Sequence, residues 1–272
     1  MSELDKKALK DEKQQNDKMP NIGVIIAAYN AAEFLPQAIA SAVMQDYPEK
    51  EIIIVDDGST DNTKEMMEEL LGKKYEHNCK LESFVKGEIS GEISNVPVKY
   101  IHQINQGPSS ARNTAIKSCY ERCELFAILD SDDYWLQGKL SKSAAKIFEA
   151  PEVIGAVYTD NYSQNIKTGN VTREFRESFD HQRLLQHNMI HSGCIISRMA
   201  FEAIGGLYDN DIRGPEDLDL WFRITEKMII YHIPEPLVII RFGDHNISIH
   251  DPRDQWQRNL QKVYDKLKAR NS

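Results

Sequence analysis

Residues Leu125–Trp135, Leu-Phe-Ala-Ile-Leu-Asp-Ser-Asp-Asp-Tyr-Trp, form the stretch that decides the fold of this chain. Five apolar residues without alternation predict a strand that is buried on both faces of a mostly parallel sheet. Ligands of such sheets bind beyond the carboxyl ends of the strands, where Asp130, Asp132 and Asp133 fall. Because three like charges so close together repel one another, we expect a divalent cation with oxygen ligands there. The alternative is a strand-ending turn, since Asp is also common in turns and at helix starts.

The bulk composition narrows the class of protein. The chain has 272 residues, 41% of them hydrophobic, and a formal net charge of -9, which suits one large domain with its own core. No basic block is present, so we expect no nucleic-acid partner. No apolar run approaches the roughly 20 residues that cross a bilayer, and the N-terminus lacks the apolar segment of a signal peptide. We therefore expect a cytoplasmic protein in which Cys119 and Cys123, one helical turn apart, are two free thiols rather than half of a metal site.

Apolar strands alternate with amphipathic helices over the first half of the chain. Strands are predicted at Ile22–Tyr29, Glu51–Val55, Val98–His102 and Leu125–Leu129. A helix follows each of them, near residues 34–43, near 63–71, up to about 120, and near 140–148. This alternation predicts an α/β doubly wound sheet.

The rest of the chain departs from this alternation. The polar residues 1–20 predict a disordered lead or a frayed helix. Residues 72–96 contain a doubled Gly-Glu-Ile-Ser and predict a mobile surface insertion of the hairpin type. After Pro151 we expect meander strands, a helix over Glu216–Lys227 and two short strands separated by prolines. A polar helix is expected at the C-terminus, so the second half differs in kind from the first.

Several short motifs follow one another in a fixed order. They are Ala28-Tyr29-Asn30, Val-Asp-Asp-Gly-Ser-Thr-Asp at 55–61, Asn105-Gln106-Gly107, Ala111-Arg112-Asn113, Leu-Asp-Ser-Asp-Asp at 129–133, Gly-Pro-Glu-Asp-Leu-Asp-Leu-Trp at 214–221, and Arg241 with His245. This ordered set, over about residues 21–248, resembles the family 2 glycosyltransferases of the GT-A fold.

The resemblance implies a fold and a reaction. The fold would be α/β, with a Rossmann-like, mostly parallel sheet, helices on both faces and a mixed C-terminal acceptor half. The nucleotide half would cover about residues 21–150, the acceptor half about 151–248, and a C-terminal helix 249–272. The reaction would be an inverting transfer of a hexosyl or N-acetylhexosaminyl group from a nucleoside-diphosphate sugar, a UDP-sugar in the first place. The acceptor would be a hydroxyl of a glycan or lipid-linked molecule in polysaccharide biosynthesis, which leaves peripheral contact with the inner face of the membrane open.

The same resemblance gives donor-binding roles to residues after the first strands. Ala28, Tyr29, Asp57 and Arg112 would bind the donor, with Tyr29 stacking near the base and Asp57 accepting a hydrogen bond from a base ring N–H. Asp132 would contact the ribose hydroxyls. For Asp57 a helix cap is the alternative role, whereas the preceding aspartate is expected to be structural.

A metal ion completes the site that the resemblance implies. Asp133 would hold Mn²⁺ or Mg²⁺ against the diphosphate, and Asp130, at the start of the DXD motif, would assist. Hard oxygen ligands favour these ions over zinc. His245 would be a further ligand or a phosphate donor, and Arg241 would pair with phosphate. Both also have an ordinary alternative as partners of nearby carboxylates.

The catalytic base is the last role that the resemblance assigns. Inverting transfer needs a carboxylate that takes the proton of the acceptor hydroxyl, and the family places it at Asp217. The alternative is a helix-starting acid, because acids in a first helical turn are favoured by the helix dipole. Asp219 is expected to form a salt bridge or lie at the surface.

Two other functions compete with this one. A phosphatase of the haloacid dehalogenase type also ends a strand with Asp-x-Asp, but there the motif normally follows the first strand and continues to Thr or Val. A non-catalytic module that binds nucleotide sugars or cations would keep Asp57 and Asp132 but would need no base, so Asp217 discriminates.

Overall fold

The structure is a computed structural model that describes residues 19–73, 85–243 and 253–270. Its strands are β1 (Ile22–Ala28), β2 (Lys50–Asp56), β3 (Val85–Ile93), β4 (Val96–Gln103), β5 (Leu125–Ile128), β6 (Tyr134–Trp135), β7 (Ile154–Asn165), β8 (Val171–Glu174), β9 (Ile195–Ser197) and β10 (Ile229–Phe242). Its helices are α1 (Leu35–Val43), α2 (Thr63–Leu71), α3 (Pro108–Cys119), α4 (Lys139–Glu149), α5 (His181–Leu184), α6 (Arg198–Ala203), α7 (Glu216–Thr225) and α8 (Arg253–Arg270).

All the described strands join one sheet. The order across it is β3-β4-β2-β1-β5-β9-β7-β10-β6, and β8 pairs with β7. The four strands β4, β2, β1 and β5 run parallel, which confirms the doubly wound first half. From β9 onwards parallel and antiparallel pairings mix, as expected for the second half.

The sheet is covered on both faces, and the opening stretch shows why its sequence is continuously apolar. Phe126 and Ile128 point into a core that includes residues of α3, α6 and α7. Leu125 and Ala127 point into a second core with residues of α1, α2 and α4. Because successive side chains of a strand face opposite sides, a strand between two helix layers has no solvent-facing position for a polar residue.

The segment expected to be a surface insertion belongs partly to the sheet. A hairpin is present and consists of β3 and β4, but β3 is the edge strand of the sheet and pairs antiparallel with β4. Ile89 is 3% exposed and packs into the same core as Leu71. The alternation of small and charged residues with Ile89 is the pattern of an edge strand with one buried face. The rest of the predicted insertion, residues 74–84, lies outside the described residues, as does most of the predicted N-terminal lead.

Two elements of the second half differ from expectation. The two short strands around Pro234 and Pro236 are one strand, β10, whose pairing with β7 shifts register at Pro236. Proline has no N–H to give to the ladder, so a bulge lets the strand continue. The C-terminal helix α8 is polar on most of its surface but buries Val263 and Leu267. No helix within the described ranges is long and apolar enough to cross a membrane.

Candidate active site

The ends of β1 and β2 are tied together by Asn30. Its backbone has φ 50°, and its side-chain Oδ1 accepts hydrogen bonds from the N–H groups of Thr60 (2.8 Å) and Asp61 (3.3 Å). In return, the Asn30 N–H donates to Ser59 Oγ at 2.8 Å. Tyr29, the residue before Asn30, keeps 41% of its surface exposed. The two predicted donor motifs therefore form one rigid edge with an accessible aromatic ring.

The two aspartates that end β2 differ in their surroundings. Asp56 is fully buried and accepts from Tyr100 Oη (2.5 Å) and the N–H of Ser59 (2.8 Å), with His102 Nδ1 at 3.1 Å. Burial opposes its ionisation, but the hydrogen bonds from His102, Ser59 and Tyr100 lower its pKa. Asp56 is thus structural, as expected.

Asp57 holds the turn that precedes α3. It accepts from Gln103 Nε2 (2.6 Å) and from the N–H groups of Gln106 (2.8 Å) and Gly107 (2.7 Å). Burial raises its pKa although all three hydrogen bonds oppose the shift. Gly107 has φ 90°, a conformation that favours glycine. The carboxylate therefore positions the Asn-Gln-Gly motif, and its contact with a donor base stays a prediction.

The three acids after β5 occupy one tight turn. The Asp133 N–H donates to the Asp130 carbonyl at 3.0 Å, and Asp133 Oδ1 accepts from the N–H of Arg241 at 2.8 Å. Asp130 accepts from Arg112 Nη2 (2.9 Å) through Oδ1 and from Ser192 Oγ through Oδ2. Burial, and then the charges of Asp132 and Asp130, raise the pKa of Asp133 well above its usual range. The acids are crowded, as the sequence predicted.

Arg241 reaches this turn from β10. Its Nη1 donates to the Asp132 carbonyl at 2.9 Å, and its Nη2 donates to Gln37 Oε1. The guanidinium lies between the rings of Phe34 and Tyr134, 5.2 and 4.6 Å from their centroids. These contacts agree with the alternative role of Arg241, that of a partner of the acidic turn. Its contact with phosphate stays a prediction.

The donor atoms of the turn suit a hard cation, but the described residues do not complete a site. The candidate ligands within the turn itself are carboxylate oxygens, the ligands that Mg²⁺ and Mn²⁺ prefer. Within the described ranges, no group of three or more His, Cys, Asp and Glu side chains is arranged to hold a metal. The predicted ligand His245 lies outside the described residues. An ion here would need oxygen atoms from the donor diphosphate.

Arg112 is a buried residue that contacts several of the acids of this site. Its Nη1 donates to Glu216 Oε1 at 2.7 Å, its Nη2 contacts Asp130, and Asp217 Oδ1 lies 3.7 Å from Nη1. Three carboxylates raise the pKa of the guanidinium well above its usual value although burial opposes this. Arg112 therefore holds the end of β5 and the start of α7 together, and its predicted donor contact stays a prediction.

Asp217 opens α7 with a carboxylate that is largely buried and poorly paired. Within the described part of the chain, its Oδ1 accepts no hydrogen bond. Burial raises its pKa to about 7, with Glu216 and Asp130 adding to the shift and Arg112 opposing it. Asp219 is paired as expected, with Arg223 Nε at 2.8 Å and Arg270 Nη1 at 3.4 Å. Asp217 thus combines a raised pKa with an oxygen that accepts no hydrogen bond within the described residues, which suits a base near neutral pH.

Sequence reasoning missed two polar residues of this site. Glu216 is 4% exposed and pairs with Arg112. Its position next to Asp217, in a pair of acids, is the sequence signal that could have identified it as a site residue. Ser192 donates to Asp130 from the segment before β9, and nothing in its local sequence marks it.

The family follows from comparison with known proteins. A family model described as Glycosyl transferase family 2 matches residues 23–205. The chain belongs to glycosyl transferase family 2. That match confirms the resemblance in the motifs and removes the haloacid dehalogenase alternative.

Relatives and solved structures agree with this family 2 assignment. TuaG of Bacillus subtilis strain 168, named for teichuronic acid biosynthesis, is 29% identical over 233 residues, 84% of this chain and 82% of TuaG. Hyaluronan synthase of Pasteurella multocida is 25% identical over 229 residues, 84% of this chain and 21% of the synthase. The S. aureus TarS 1-349 crystal structure with UDP-GlcNAc matches with a TM-score of 0.67 at 18% identity, over 89% of this chain and 65% of that chain.

The TarS likeness concerns the fold. At this identity it shows that the glycosyltransferase has the GT-A architecture that its motifs implied, with the mostly parallel sheet described above. The chain spans less than two thirds of that TarS chain.

Proposed function

We propose that this glycosyltransferase moves a sugar from a nucleoside-diphosphate sugar to an acceptor hydroxyl with inversion, and that Asp217 is the base. One observation carries the proposal: Asp217 is a buried carboxylate whose Oδ1 accepts no hydrogen bond within the described residues and whose pKa burial raises to about 7. A base with a pKa near neutrality is present in its ionised form and still holds a proton well. A module that only bound nucleotide sugars would need no such base.

The donor in this proposal is a UDP-sugar that carries a hexosyl or N-acetylhexosaminyl group. Tyr29 offers an exposed ring for the base, next to Ala28 at the rigid end of β1. Asp57 and Asp132 flank this edge from the ends of neighbouring strands. TarS, which shares the fold, has been crystallised with UDP and with UDP-GlcNAc. Because donors of open α/β sheets bind beyond the strand ends, the same edge is the donor site here.

Mn²⁺ or Mg²⁺ is proposed as the cofactor. Asp133 would hold the ion, with Asp130 keeping the turn in place and His245 as a further ligand. When bound, the ion would stabilise the charge of the leaving diphosphate as a Lewis acid. The residues of the chain act around it: Arg241 fixes the turn through the Asp132 carbonyl, and Arg112 orients the Asp130 carboxylate by a hydrogen bond.

The acceptor in this proposal is a glycan or a lipid-linked glycan in polysaccharide biosynthesis. TuaG is named for teichuronic acid biosynthesis and the Pasteurella multocida relative for hyaluronan synthesis, and both names concern polysaccharides. We propose that the reaction takes place in the cytoplasm, where a lipid-linked acceptor would bring the enzyme to the inner face of the membrane.

A panel of nucleotide sugars tests this function. The purified chain is incubated with UDP-, GDP-, ADP- and dTDP-sugars, with Mn²⁺, with Mg²⁺ and with EDTA, and nucleoside diphosphate release is measured. We expect nucleoside diphosphate release from a UDP-sugar. This release should require a metal and should be lost in Asp133→Ala. Release from no donor under any condition would contradict the transferase function, and release that EDTA leaves unchanged would contradict the metal alone.

A further inference from the structure

A polar cleft lies between α8 and the segment that leads into α7. It has a volume of about 420 Å³ and is lined by Asp211, Arg213, Gln255, Arg258, Asn259 and Lys262. Three of these side chains are cationic and one is acidic, in a chain whose net charge is -9. The cleft is thus a local positive patch on an acidic protein.

The basic residues along one face of α8 fall into two pairs with different contacts. Arg258, Lys262, Lys266 and Arg270 follow one another at intervals of four residues, so neighbours lie on one face of the helix. The last two anchor the helix, because Lys266 pairs with Asp209, and Arg270 pairs with Glu226 at 2.9 Å.

The first two cations of this row are used differently. Within the described part of the chain, neither Arg258 nor Lys262 forms an ion pair with a carboxylate, and both side chains line the cleft. Lys262 Nζ reaches only the Asp211 carbonyl, at 3.5 Å. Three cations line the cleft beside the single acid Asp211, and like charges held close together repel one another, so the patch favours an anionic ligand.

The cleft adjoins the proposed active site through Arg213. Arg213 Nη2 donates to the Gln106 carbonyl at 3.3 Å, in the turn that Asp57 holds. Its own carbonyl accepts from Asn259 Nδ2 at 2.7 Å, which fixes it to α8. Asp217 follows Arg213 by four positions in the chain, so their Cα atoms are at most about 14 Å apart. A group bound in the cleft is therefore close enough to belong to the same molecule as the reacting hydroxyl.

We propose that this cleft binds an anionic group, phosphate or carboxylate, of the acceptor glycan. The proposal rests on the proposed function for the identity of the ligand as an acceptor. Arg258 and Lys262 supply the charge, and Gln255 and the Asn259 side of the cleft supply polar contacts. Guanidinium and ammonium groups form strong hydrogen bonds with both kinds of anion. The cleft would select acceptors that carry a charge at a fixed distance from the hydroxyl that receives the sugar.

Binding of model anions to the full chain tests the proposal. The probes are inorganic tripolyphosphate for phosphate, an oligogalacturonate for carboxylate, and a neutral maltooligosaccharide. Calorimetry is run with UDP in excess and at low ionic strength, because salt screens exposed charges. The test variant is Arg258→Gln with Lys262→Gln. The matched control is Lys227→Gln with Lys268→Gln, which removes the same charge from exposed positions outside the cleft.

We expect one or both anions to bind the parent and the control, and to bind the test variant at least about tenfold more weakly, because charge-assisted hydrogen bonds are lost. The anion whose affinity falls in the test variant identifies the charged group of the acceptor. The proposal would be overturned if the test variant bound the anions as tightly as the parent does, or if the neutral sugar bound as tightly as the anions. UDP affinity, measured separately, should be the same in all variants; a parent that binds the anions but not UDP would contradict the proposed function and leave the anion site in place.

Discussion

Arg112 Nη1 lies 3.7 Å from Asp217 Oδ1, near enough to attract its charge and too far to donate a hydrogen bond to it. The same nitrogen donates to Glu216 at 2.7 Å. The guanidinium thus donates hydrogen bonds to the carboxylates beside Asp217 and none to Asp217 itself. The attraction of Arg112 offsets the burial of the Asp217 carboxylate only in part. Burial therefore raises the pKa of Asp217 to about 7.

The first prediction concerns transfer. Asp217→Asn keeps the size of the side chain but removes its basicity, so the transfer rate should fall by at least about 10²-fold, the usual range of general-base catalysis being about 10²–10⁴. Donor binding, measured by calorimetry with UDP, should persist. The control is Asp265→Asn on the exposed face of α8. Proton NMR of the product from an α-linked donor should show the β-anomer, and either a retained anomer or a fully active variant would disprove the mechanism.

The second prediction concerns stability against pH. The pKa of Asp217 is about 7 in the folded chain and near 3.8 in the unfolded one. Between these values the folded state binds more protons than the unfolded state, so the carboxyl group costs stability as pH rises from about 4 to about 7, and the cost is constant above that. Asp217→Asn cannot ionise. Its melting temperature should match that of the parent near pH 4 and exceed it by at least about 2 °C at pH 8.

A thermal-shift series over this pH range checks the sign. The difference between variant and parent, rather than either curve alone, isolates Asp217, because other buried carboxyl groups titrate as well. A difference that is flat across the range, or that shrinks as pH rises, would mean that Asp217 ionises normally in the folded chain.

The third prediction separates positioning from folding at Arg112. Arg112→Gln removes a cation that faces three carboxylates, so the folded chain should lose about 3–5 kcal/mol, the usual effect of breaking a buried ion pair. Arg112→Lys keeps the charge without the planar fork and should lose less. In the lysine variant, if it folds, the rise of the transfer rate with pH should move above pH 7, because a weaker attraction leaves Asp217 harder to ionise. An unchanged pH profile would limit Arg112 to a structural role.

The sequence predicted the elements that depend on local pattern. The four parallel strands are apolar runs bounded by acids or turns, and α2 lies at the residues where its periodicity placed it. The motifs at the strand ends were found together because carboxyl ends of parallel strands share one edge.

Contacts between distant residues could not be predicted in this way. Arg112 is buried because Glu216, 104 residues later, folds against it, and its own helix gives no sign of that. Asp130 is paired with Ser192, 62 residues away. The place of β3 was hidden for a related reason, since its glycines and glutamates suggest a loop, and only its pairing with β4 makes Ile89 a core residue.

The last prediction tests whether the hairpin of β3 and β4 supports the domain. Ile89 is 3% exposed and belongs to the core between the sheet and α2, so Ile89→Ala should cost about 2 kcal/mol or more through lost burial and the cavity left behind. Glu92→Ala, at an exposed position of the same strand, should stay within about 0.5 kcal/mol of the parent. Urea unfolding measures both. Equal, small effects of the two changes would mean that residues 85–93 are an appendage, whereas a loss confined to Ile89→Ala would show that the edge strand closes the core between the sheet and α2.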